Sequence, residues 1–234
     1  MNRGRPKTMP EIPGSVTPAT LGGDEPGRSV RKQRAILDAA LGLFLRHGYL
    51  GTSMDDVAAA AKVSKQTVYK HFGDKRRMFV ELLTGCMAGA DATVAALAEA
   101  VPDSQDLETD LRAFARAYLA AVMAPHLIRL RRVVIGEAER FPELAAAWYT
   151  SGPAQAYTTF AHWFETLDQR GLLRADDPVL AAQHFNWLIL SIPLNEAMAR
   201  PIDDSSLAEG DLDRYADEGV RVFLAAYGAP RHTS

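Results

Sequence analysis

The sequence predicts an all-α protein, and three observations support this prediction. Apolar residues recur at helical spacing through most of the 234 residues, as on the buried face of a helix. No convincing run of alternating β-branched residues occurs, and glycine or proline stands where the helical periodicity stops. Hydrophobic residues at 47% and charged residues at 24% are typical of a folded globular protein.

Composition also excludes several classes of protein. The single cysteine, Cys86, excludes an intramolecular disulfide and a zinc site built from cysteines. No stretch approaches about 18 uninterrupted apolar residues, so neither a transmembrane helix nor a membrane partner is expected. Residues 1–27 lack the apolar run of a secretory signal. These features predict a cytoplasmic protein.

The charges are distributed unevenly along the chain. Residues 28–77 contain eleven lysines or arginines against four acids, a net charge of +7, whereas residues 78–234 carry a net charge of −10. A small basic segment joined to a larger acidic one indicates a module that binds a polyanion beside a part that does not. A surface that is lopsided by chance is the alternative.

Residues 1–28 are predicted to form a disordered arm. The first 27 residues hold five prolines and five glycines with almost no aliphatic periodicity, so they cannot bury enough surface to offset the entropy of ordering. The motif Arg3-Gly4-Arg5-Pro6 resembles the core of an AT-hook, whose arginines enter narrow minor grooves. A tail with incidental arginines is the alternative. Order is expected to begin near Ser29, a candidate helix cap.

Residues 29–78 are predicted to form three short helices. The first ends at His47-Gly48, and Ser53 with Asp56 suggests a loose capping box for the second. Ser64 is a candidate cap for the third helix, residues 65–72, and Asp74 for the helix that follows. Two short helices joined by a tight turn form a helix-turn-helix, in which the second helix enters the DNA major groove.

The side chains of the third helix suit contacts with double-stranded DNA. Val68 and Phe72 are four residues apart and are expected to face the core. Lys65, Gln66 and Lys70 suit hydrogen bonds to base edges, and Tyr69 and His71 suit phosphate oxygens. Lys75 would add a phosphate contact near the start of the next helix.

The remainder, residues 79–228, is predicted to be a succession of helices. A long amphipathic helix ends before Pro102, and nine or ten helices are expected in the whole chain. The other predicted helices span residues 107–123, 126–140, 143–150, 153–170, 178–200 and 211–227. Pro193 implies a kink or a local break in the nearly all-apolar helix 178–200. This helix and residues 153–170 are the candidates for a dimer interface, because a helix apolar on all sides is either buried or shared.

The basic segment resembles the DNA-binding domain of the TetR family of bacterial transcriptional regulators. The matching residues are Arg34-Ala35-Ile36-Leu37-Asp38-Ala39-Ala40, Phe44, His47-Gly48-Tyr49, Thr52-Ser53, Val57-Ala58, Val63-Ser64-Lys65-Gln66-Thr67-Val68-Tyr69-Lys70-His71-Phe72 and Asp74-Lys75. Many positions match in order over residues 29–78, and Val68, where leucine or isoleucine is commoner, is a minor departure. Residues 137–144 are similar to C-terminal domains of a subgroup associated with efflux regulation.

The resemblance implies a homodimer that binds a palindromic DNA operator and releases it when a small-molecule effector enters the C-terminal domain. Thr52 lies where the family's threonine typically meets a phosphate. The complete set of predicted DNA contacts is Thr52, Ser64, Lys65, Gln66, Thr67, Tyr69, Lys70, His71 and Lys75. The implied fold is a three-helix bundle with a helix-turn-helix, followed by a helical ligand-binding and dimerisation domain. Repression is the expected activity, and activation stays open.

The middle helices contain aromatic residues that could line an effector pocket, since such pockets are mainly apolar with a few polar groups. They are Phe114, Tyr118, Trp148, Tyr149, Tyr157, Phe160, Trp163 and Phe164. The alternative for each is an ordinary core or interface position. A hydrophobic or planar effector is expected.

No metal, cofactor or catalytic site is predicted. Helical di-iron sites need paired Glu-x-x-His motifs, and only a reversed His162-x-x-Glu165 occurs. Cys86 lies on the apolar face of a helix, where a buried structural thiol is expected. The alternative function is an all-α enzyme or lipid-binding module whose basic segment contacts anionic surfaces.

Overall fold

The computed structural model describes residues 27–88, 92–200 and 209–230, and these ranges are almost entirely helical. The first four helices are α1 Arg28–His47, α2 Met54–Ala60, α3 Lys65–Phe72 and α4 Lys75–Ala88. The others are α5 Ala92–Ala100, α6 Leu107–Val122, α7 Pro125–Glu137, α8 Pro142–Ser151, α9 Pro153–Gln169, α10 Pro178–Ala199 and α11 Glu209–Tyr227, with a 3₁₀ turn at Val101–Asp103. The all-α prediction is confirmed.

The sequence prediction is wrong about the start of the first helix. Helix α1 begins after Gly27, whose carbonyl oxygen accepts bonds from the N–H groups of Val30 and Arg31, so Ser29 lies inside the helix and does not cap it. The single long helix expected before Pro102 is described as α4 and α5, with residues 89–91 outside the description. Nine or ten helices were expected, and the described ranges hold eleven α-helices when α4 and α5 are counted separately. Residues 1–26, with the Arg3-Gly4-Arg5-Pro6 motif, lie outside the described residues.

The predicted caps around α2, α3 and α4 are confirmed. The Asp56 N–H donates to Ser53 Oγ over 3.1 Å and the Ser53 N–H donates to Asp56 Oδ2 over 3.0 Å, which makes a capping box. The Thr67 N–H donates to Ser64 Oγ over 3.2 Å. The Arg77 N–H donates to Asp74 Oδ1 over 2.8 Å. These local bonds determine where each short helix begins.

The N-terminal hydrophobic core joins the helix-turn-helix to later helices. Phe79 of α4 is fully buried, and its ring lies 4.7 Å from that of Phe44 and 5.1 Å from that of Tyr49. Phe141, next to α8, contacts Tyr49 with a ring separation of 4.9 Å. The same core includes Leu130, Val134 and Leu144 from α7 and α8. The N-terminal core therefore extends beyond residue 78, where the sequence analysis divides the chain, into α7 and α8.

The second core lies between α6, α9, α10 and α11. Helix α10 runs through Pro193 as one helix, with Phe185 and Ile189 fully buried. Gly219 of α11 allows close approach to α10: a Cβ there would lie 2.5 Å from Ile189 Cγ2 and 3.0 Å from the Leu188 carbonyl oxygen. Within the described ranges, no helix has the length and apolarity needed to cross a membrane.

Candidate nucleic-acid interface and effector region

Helices α2 and α3 form the predicted helix-turn-helix. The turn between them passes through Lys62 at φ 54°, in the left-handed region, and returns through a bond from the Val63 N–H to the Ala58 carbonyl oxygen over 3.0 Å. Val68 and Phe72 are buried against α2 and α4, as the sequence predicts. Burial of these two side chains determines which face of α3 points outward.

The outward face of α3 carries the predicted base-contacting residues. Lys65, Gln66, Tyr69 and Lys70 are exposed, while Thr67 and His71 are half-buried. Helix α3 has no acid, so its exposed face presents only positive or neutral groups. A face of this composition is complementary to the edges and phosphates of a DNA groove.

Three hydroxyl side chains among the predicted DNA contacts, Thr52, Ser64 and Thr67, make hydrogen bonds inside the protein. Ser64 Oγ lies 2.8 Å from Thr67 Oγ1 and also caps α3. Thr52 is only 2% exposed, and its hydroxyl donates to the Gly48 carbonyl oxygen over 2.9 Å. In the structure these residues shape the loop and the helix start, and their contacts with DNA stay predictions.

Lys65 forms a close ion pair with Asp55 of α2, and both side chains are more than half exposed. Exposed ion pairs contribute about 0–1 kcal/mol to stability, so little free energy holds Lys65 in this position. A base contact by Lys65 would require it to leave Asp55. The sequence analysis did not predict this competition, because the two residues are ten positions apart and on different helices.

Lys75, the first residue of α4, binds backbone carbonyl oxygens of the preceding loop. Its ammonium donates to the carbonyl oxygens of Tyr49 over 2.8 Å and Thr52 over 2.9 Å, and lies 4.5 Å from the centre of the Tyr49 ring. Burial lowers the pKa of Lys75, and the charge of Glu137 opposes this shift. Two of its three donors are therefore used to join α4 to the loop between α1 and α2.

Replacing Lys75 by methionine is expected to lower the free energy of unfolding by about 1–3 kcal/mol, because two carbonyl oxygens lose a charged donor. Urea unfolding of the free protein measures this change. The matched control is Lys70→Met on the exposed face of α3, which should change stability by less than about 0.5 kcal/mol. Equal effects of the two substitutions would contradict the structural role of Lys75.

Most of the predicted effector-binding aromatics lie together in the second core. Phe114, Phe160, Trp163 and Phe164 are buried, and Phe114 lies 4.8 Å from Trp163 and 5.5 Å from Phe160 between ring centres. The Tyr118 ring stacks on Phe114 at 5.5 Å. The arrangement is a packed aromatic cluster in this structure, so whether it opens for an effector stays a prediction.

The other predicted aromatics occupy different places. Trp148 packs against the N-terminal core instead of the aromatic cluster. Tyr149 is 54% exposed. Tyr157 is nearly buried at the edge of the cluster, where burial raises its pKa and a hydrogen bond with Trp187 lowers it. The eight predicted residues therefore do not surround one space.

Sequence analysis missed a buried polar residue in this cluster, Asn186. The Tyr118 hydroxyl donates to Asn186 Oδ1 over 3.0 Å, and burial raises the pKa of Tyr118 well above its usual value. Asn186 is a single buried amide in an otherwise apolar helix, and that isolation is the signal that could have identified it. On α7, Arg131 and Arg132 each have a buried Nε that makes no hydrogen bond within the described ranges.

A groove of about 470 Å³ opens elsewhere, between α4 and α8. Its lining consists of Arg76, Arg77, Val80, Glu81, Glu143 and Ala147, none of which belongs to the predicted effector set. Arg76 Nη1 and Glu143 Oε1 lie 3.8 Å apart across the two helices, and Thr84 Oγ1 lies 3.3 Å from Ser151 Oγ. These contacts connect α4 to α8.

The two helices predicted for dimerisation differ in their exposed faces. Helix α10 exposes large apolar side chains: Val179, Leu180, Trp187, Leu188 and Ile192. The exposed residues of α9 are polar: Gln155, Thr158, Thr159, His162, Glu165, Asp168 and Gln169. An exposed apolar face of this extent indicates an association site.

Groups suited to metal or nucleophilic chemistry are few. The described ranges contain no group of three or more histidine, cysteine or acidic side chains placed to hold a metal ion. Burial raises the pKa of Cys86 to about 11, so this residue is a thiol at neutral pH.

Comparisons with known proteins agree with these features. Residues 36–82 match the family model for bacterial regulatory proteins of the tetR family, and residues 109–229 match that of the AefR-like transcriptional repressor C-terminal domain. A solved structure from Mesorhizobium loti, described as a TetR-family transcriptional regulator, is 38% identical with a TM-score of 0.80, covering 87% of this chain and all of that one.

Two further relatives resemble this chain, one over most of its length and one over a short segment. The flavonoid-responsive regulator FrrA is 32% identical with a TM-score of 0.66, covering 86% of this chain and 99% of that one. The HTH-type transcriptional regulator YhgD of Bacillus subtilis is 41% identical over 56 residues. That aligned segment spans 24% of this chain and only 29% of YhgD.

Proposed function

We propose, since the chain belongs to the TetR family of DNA-binding transcriptional repressors, that a small hydrophobic or aromatic effector releases it from a palindromic operator. Members of this family bind operators as dimers and are not enzymes, which removes the enzyme alternative. The basic segment has DNA as its target. DNA binding would place the protein with the chromosome, in the bacterial cytoplasm.

The observation that carries the proposal is the exposed face of α3. Ser64 caps the start of α3, and Val68 and Phe72 are buried on its inner face. Lys65, Gln66 and Lys70 are exposed on its outer face. In a two-fold dimer, two such helices would contact half-sites about 34–36 Å apart or a multiple of this spacing.

Base contacts are proposed for Lys65, Gln66 and Lys70, and phosphate contacts for Thr52, Tyr69, His71 and Lys75. Replacing Gln66 by alanine is expected to relax the preference at one or two base pairs and to weaken the preferred site by about 1–3 kcal/mol. Binding to a panel of single-substitution operators measures this. The matched control is Tyr69→Phe, which should weaken all sequences alike. A uniform loss for Gln66→Ala would remove its proposed role.

The dimer face is proposed to be the exposed side of α10 with Val222 of the adjacent α11. Val222 is exposed, and α11 packs along α10. The apolar residues of α10 support this choice over α9, whose exposed residues are polar.

Effector binding is proposed to act through α8 and α4. Gly73 at φ 75° ends α3 directly before α4, and α4 is bound to α8 by the Arg76–Glu143 and Thr84–Ser151 contacts. An effector that binds the form with its α3 helices displaced shifts the population away from DNA. Reversal from 1:99 to 99:1 needs about 5.5 kcal/mol of difference in affinity between the two forms.

The test is to footprint the protein on the DNA upstream of its own gene and to titrate the complex with aromatic compounds. Flavonoids are the first probes, because FrrA is by name flavonoid-responsive and is 32% identical over most of the chain. A releasing compound should bind the free protein more tightly than the DNA complex, by the same factor by which it weakens DNA binding. A compound that saturates the C-terminal part without changing operator affinity is not an effector.

A further inference from the structure

The turn between α2 and α3 places a lysine in a backbone conformation that favours glycine. Lys62 has φ 54°, in the left-handed region, where the Cβ of a side chain crowds the following carbonyl oxygen. The other residues with positive φ in the described ranges are all glycines: Gly48, Gly73 and Gly171. A lysine at such a position is unfavourable for the backbone, so its side chain calls for an explanation.

The hydrogen bonds of this turn do not require lysine. The Lys62 N–H donates to the Ala59 carbonyl oxygen over 3.2 Å, and the Val63 N–H donates to that of Ala58 over 3.0 Å. These two bonds form a Schellman motif at the end of α2, in which glycine, or sometimes asparagine, usually occupies the left-handed residue. Only the backbone of Lys62 takes part in the motif, and its side chain is left for another role.

The end of α9 has the same turn, formed with glycine. The Gly171 N–H donates to the Asp168 carbonyl oxygen over 2.8 Å, and the Leu172 N–H donates to that of Leu167 over 2.9 Å. A Cβ at Gly171 would meet no atom within 4 Å, so it is the backbone conformation that favours glycine there. The chain therefore forms this turn with glycine after α9 and with lysine inside the helix-turn-helix.

Lys62 lies next to the start of the helix proposed to enter the DNA groove. Its neighbours Ala61 and Val63 pack against the N-terminal hydrophobic core, whereas Lys62 is exposed. Helix α3 begins three residues later, and the first residues of the second helix of a helix-turn-helix contact base edges. The turn that leads into α3 is therefore expected to lie at the rim of the groove, beside the phosphates. Asp55 compensates part of the charge of Lys65, so Lys62 adds positive charge at this point.

We propose that Lys62 binds a DNA phosphate at the rim of the major groove and that this contact is why the turn contains lysine. A lysine ammonium beside a phosphate releases a condensed counterion from DNA, and this gain does not depend on base sequence. The contact lies outside the set predicted from the sequence. The inference rests on the proposed function, because it requires α3 to enter the groove.

The test replaces Lys62 by asparagine, which tolerates the left-handed conformation and carries no charge. Fluorescence anisotropy measures binding of the full chain to the operator located by footprinting and to an unrelated duplex of the same length, at several salt concentrations. Lys62→Asn should weaken both complexes about fivefold and reduce the slope of log affinity against log salt by about 0.9, the value for one phosphate. Lys62→Arg should keep the affinity and the slope of the wild type.

Thermal unfolding separates a DNA contact from a structural role. Lys62→Asn should unfold at the same temperature as the wild type or higher, because asparagine fits the left-handed region better than lysine. The matched control Gly171→Lys places lysine in the equivalent turn after α9, and it should unfold at a lower temperature with unchanged DNA affinity. Arg129→Gln removes an exposed charge from α7 and should change neither the affinity nor the salt slope.

The outcomes distinguish this inference from the proposed function. If Lys62→Asn binds both duplexes with the affinity and slope of the wild type, the inference is wrong and the proposed function stands. A loss of affinity with an unchanged slope and a lower unfolding temperature would also overturn the inference, since it indicates a structural role. If the wild type binds the two duplexes equally while Lys62→Asn still reduces the slope, the phosphate contact stands and the proposed operator recognition fails.

Discussion

Replacing Ile192 by glutamate is expected to convert the dimer into a monomer and to abolish tight operator binding. Ile192 is 53% exposed on the apolar face of α10, about one helical turn after Leu188. In a two-fold interface each substitution occurs twice, so two carboxylates would be buried without partners. Each costs several kcal/mol, in addition to the lost burial of two isoleucines.

The expected effect on affinity is large. A loss of about 4 kcal/mol weakens dimerisation roughly 1000-fold, since every 1.4 kcal/mol is tenfold. A monomer contacts one half-site only and loses the gain from binding both half-sites at once. Sedimentation measures the mass, and gel shift with a full operator measures DNA binding. The fold should persist in the monomer, because Ile192 lies outside both hydrophobic cores.

The matched control tests the second candidate helix. Thr158→Glu adds the same charge to the exposed polar face of α9, where its hydroxyl donates only to the Ala154 carbonyl oxygen within the helix. This variant should remain a dimer and bind the operator normally. If Thr158→Glu separates the subunits while Ile192→Glu does not, the interface lies on α9 and the assignment to α10 is wrong.

Replacing Phe79 by alanine is expected to lower the free energy of unfolding by about 3–5 kcal/mol, the range for removing a buried aromatic ring. The side chain is fully buried at the junction of α4 with α1, between Phe44 and Tyr49. Its loss leaves a cavity that rigid helices fill only in part. Urea unfolding monitored by circular dichroism measures the change.

The position of Phe79 also predicts a loss of DNA binding. This ring joins α4 to the loop that precedes α2, so its removal should loosen the placement of α3. The matched control is Phe164→Ala, which removes a fully buried ring from the second core. Both variants should lose similar stability, but at low temperature Phe79→Ala should lose more operator affinity. Equal operator affinity in the two variants would contradict this coupling.

Local features of this protein could be predicted from the sequence. The caps at Ser53, Ser64 and Asp74 involve bonds to residues three positions away, so the residues that form them are adjacent in the chain. The exposed face of α3 follows from the four-residue spacing of Val68 and Phe72. The helix-turn-helix was predictable for the same reason.

Contacts between distant segments could not be predicted in this way. The sequence predicts a phosphate contact for Lys75, but it does not indicate that the ammonium also binds carbonyl oxygens 26 and 23 residues earlier in the chain. Trp148 and Phe160 are both aromatic residues of predicted helices, yet they pack in different cores. The spacing indicates that a side chain is buried and does not indicate its partners.

The sequence by itself determined the all-α class, the starts of α2, α3 and α4, and the exposed face of α3, because these depend on hydrogen bonds and periodicity within one or two helical turns. Only the tertiary structure decided which apolar helix face stays exposed. In sequence, α9 and α10 are both candidates, and they differ only in which of their side chains other helices bury. It likewise decided that Gly219 must be small. This is a property of segments brought together by folding, and no spacing along the chain encodes it.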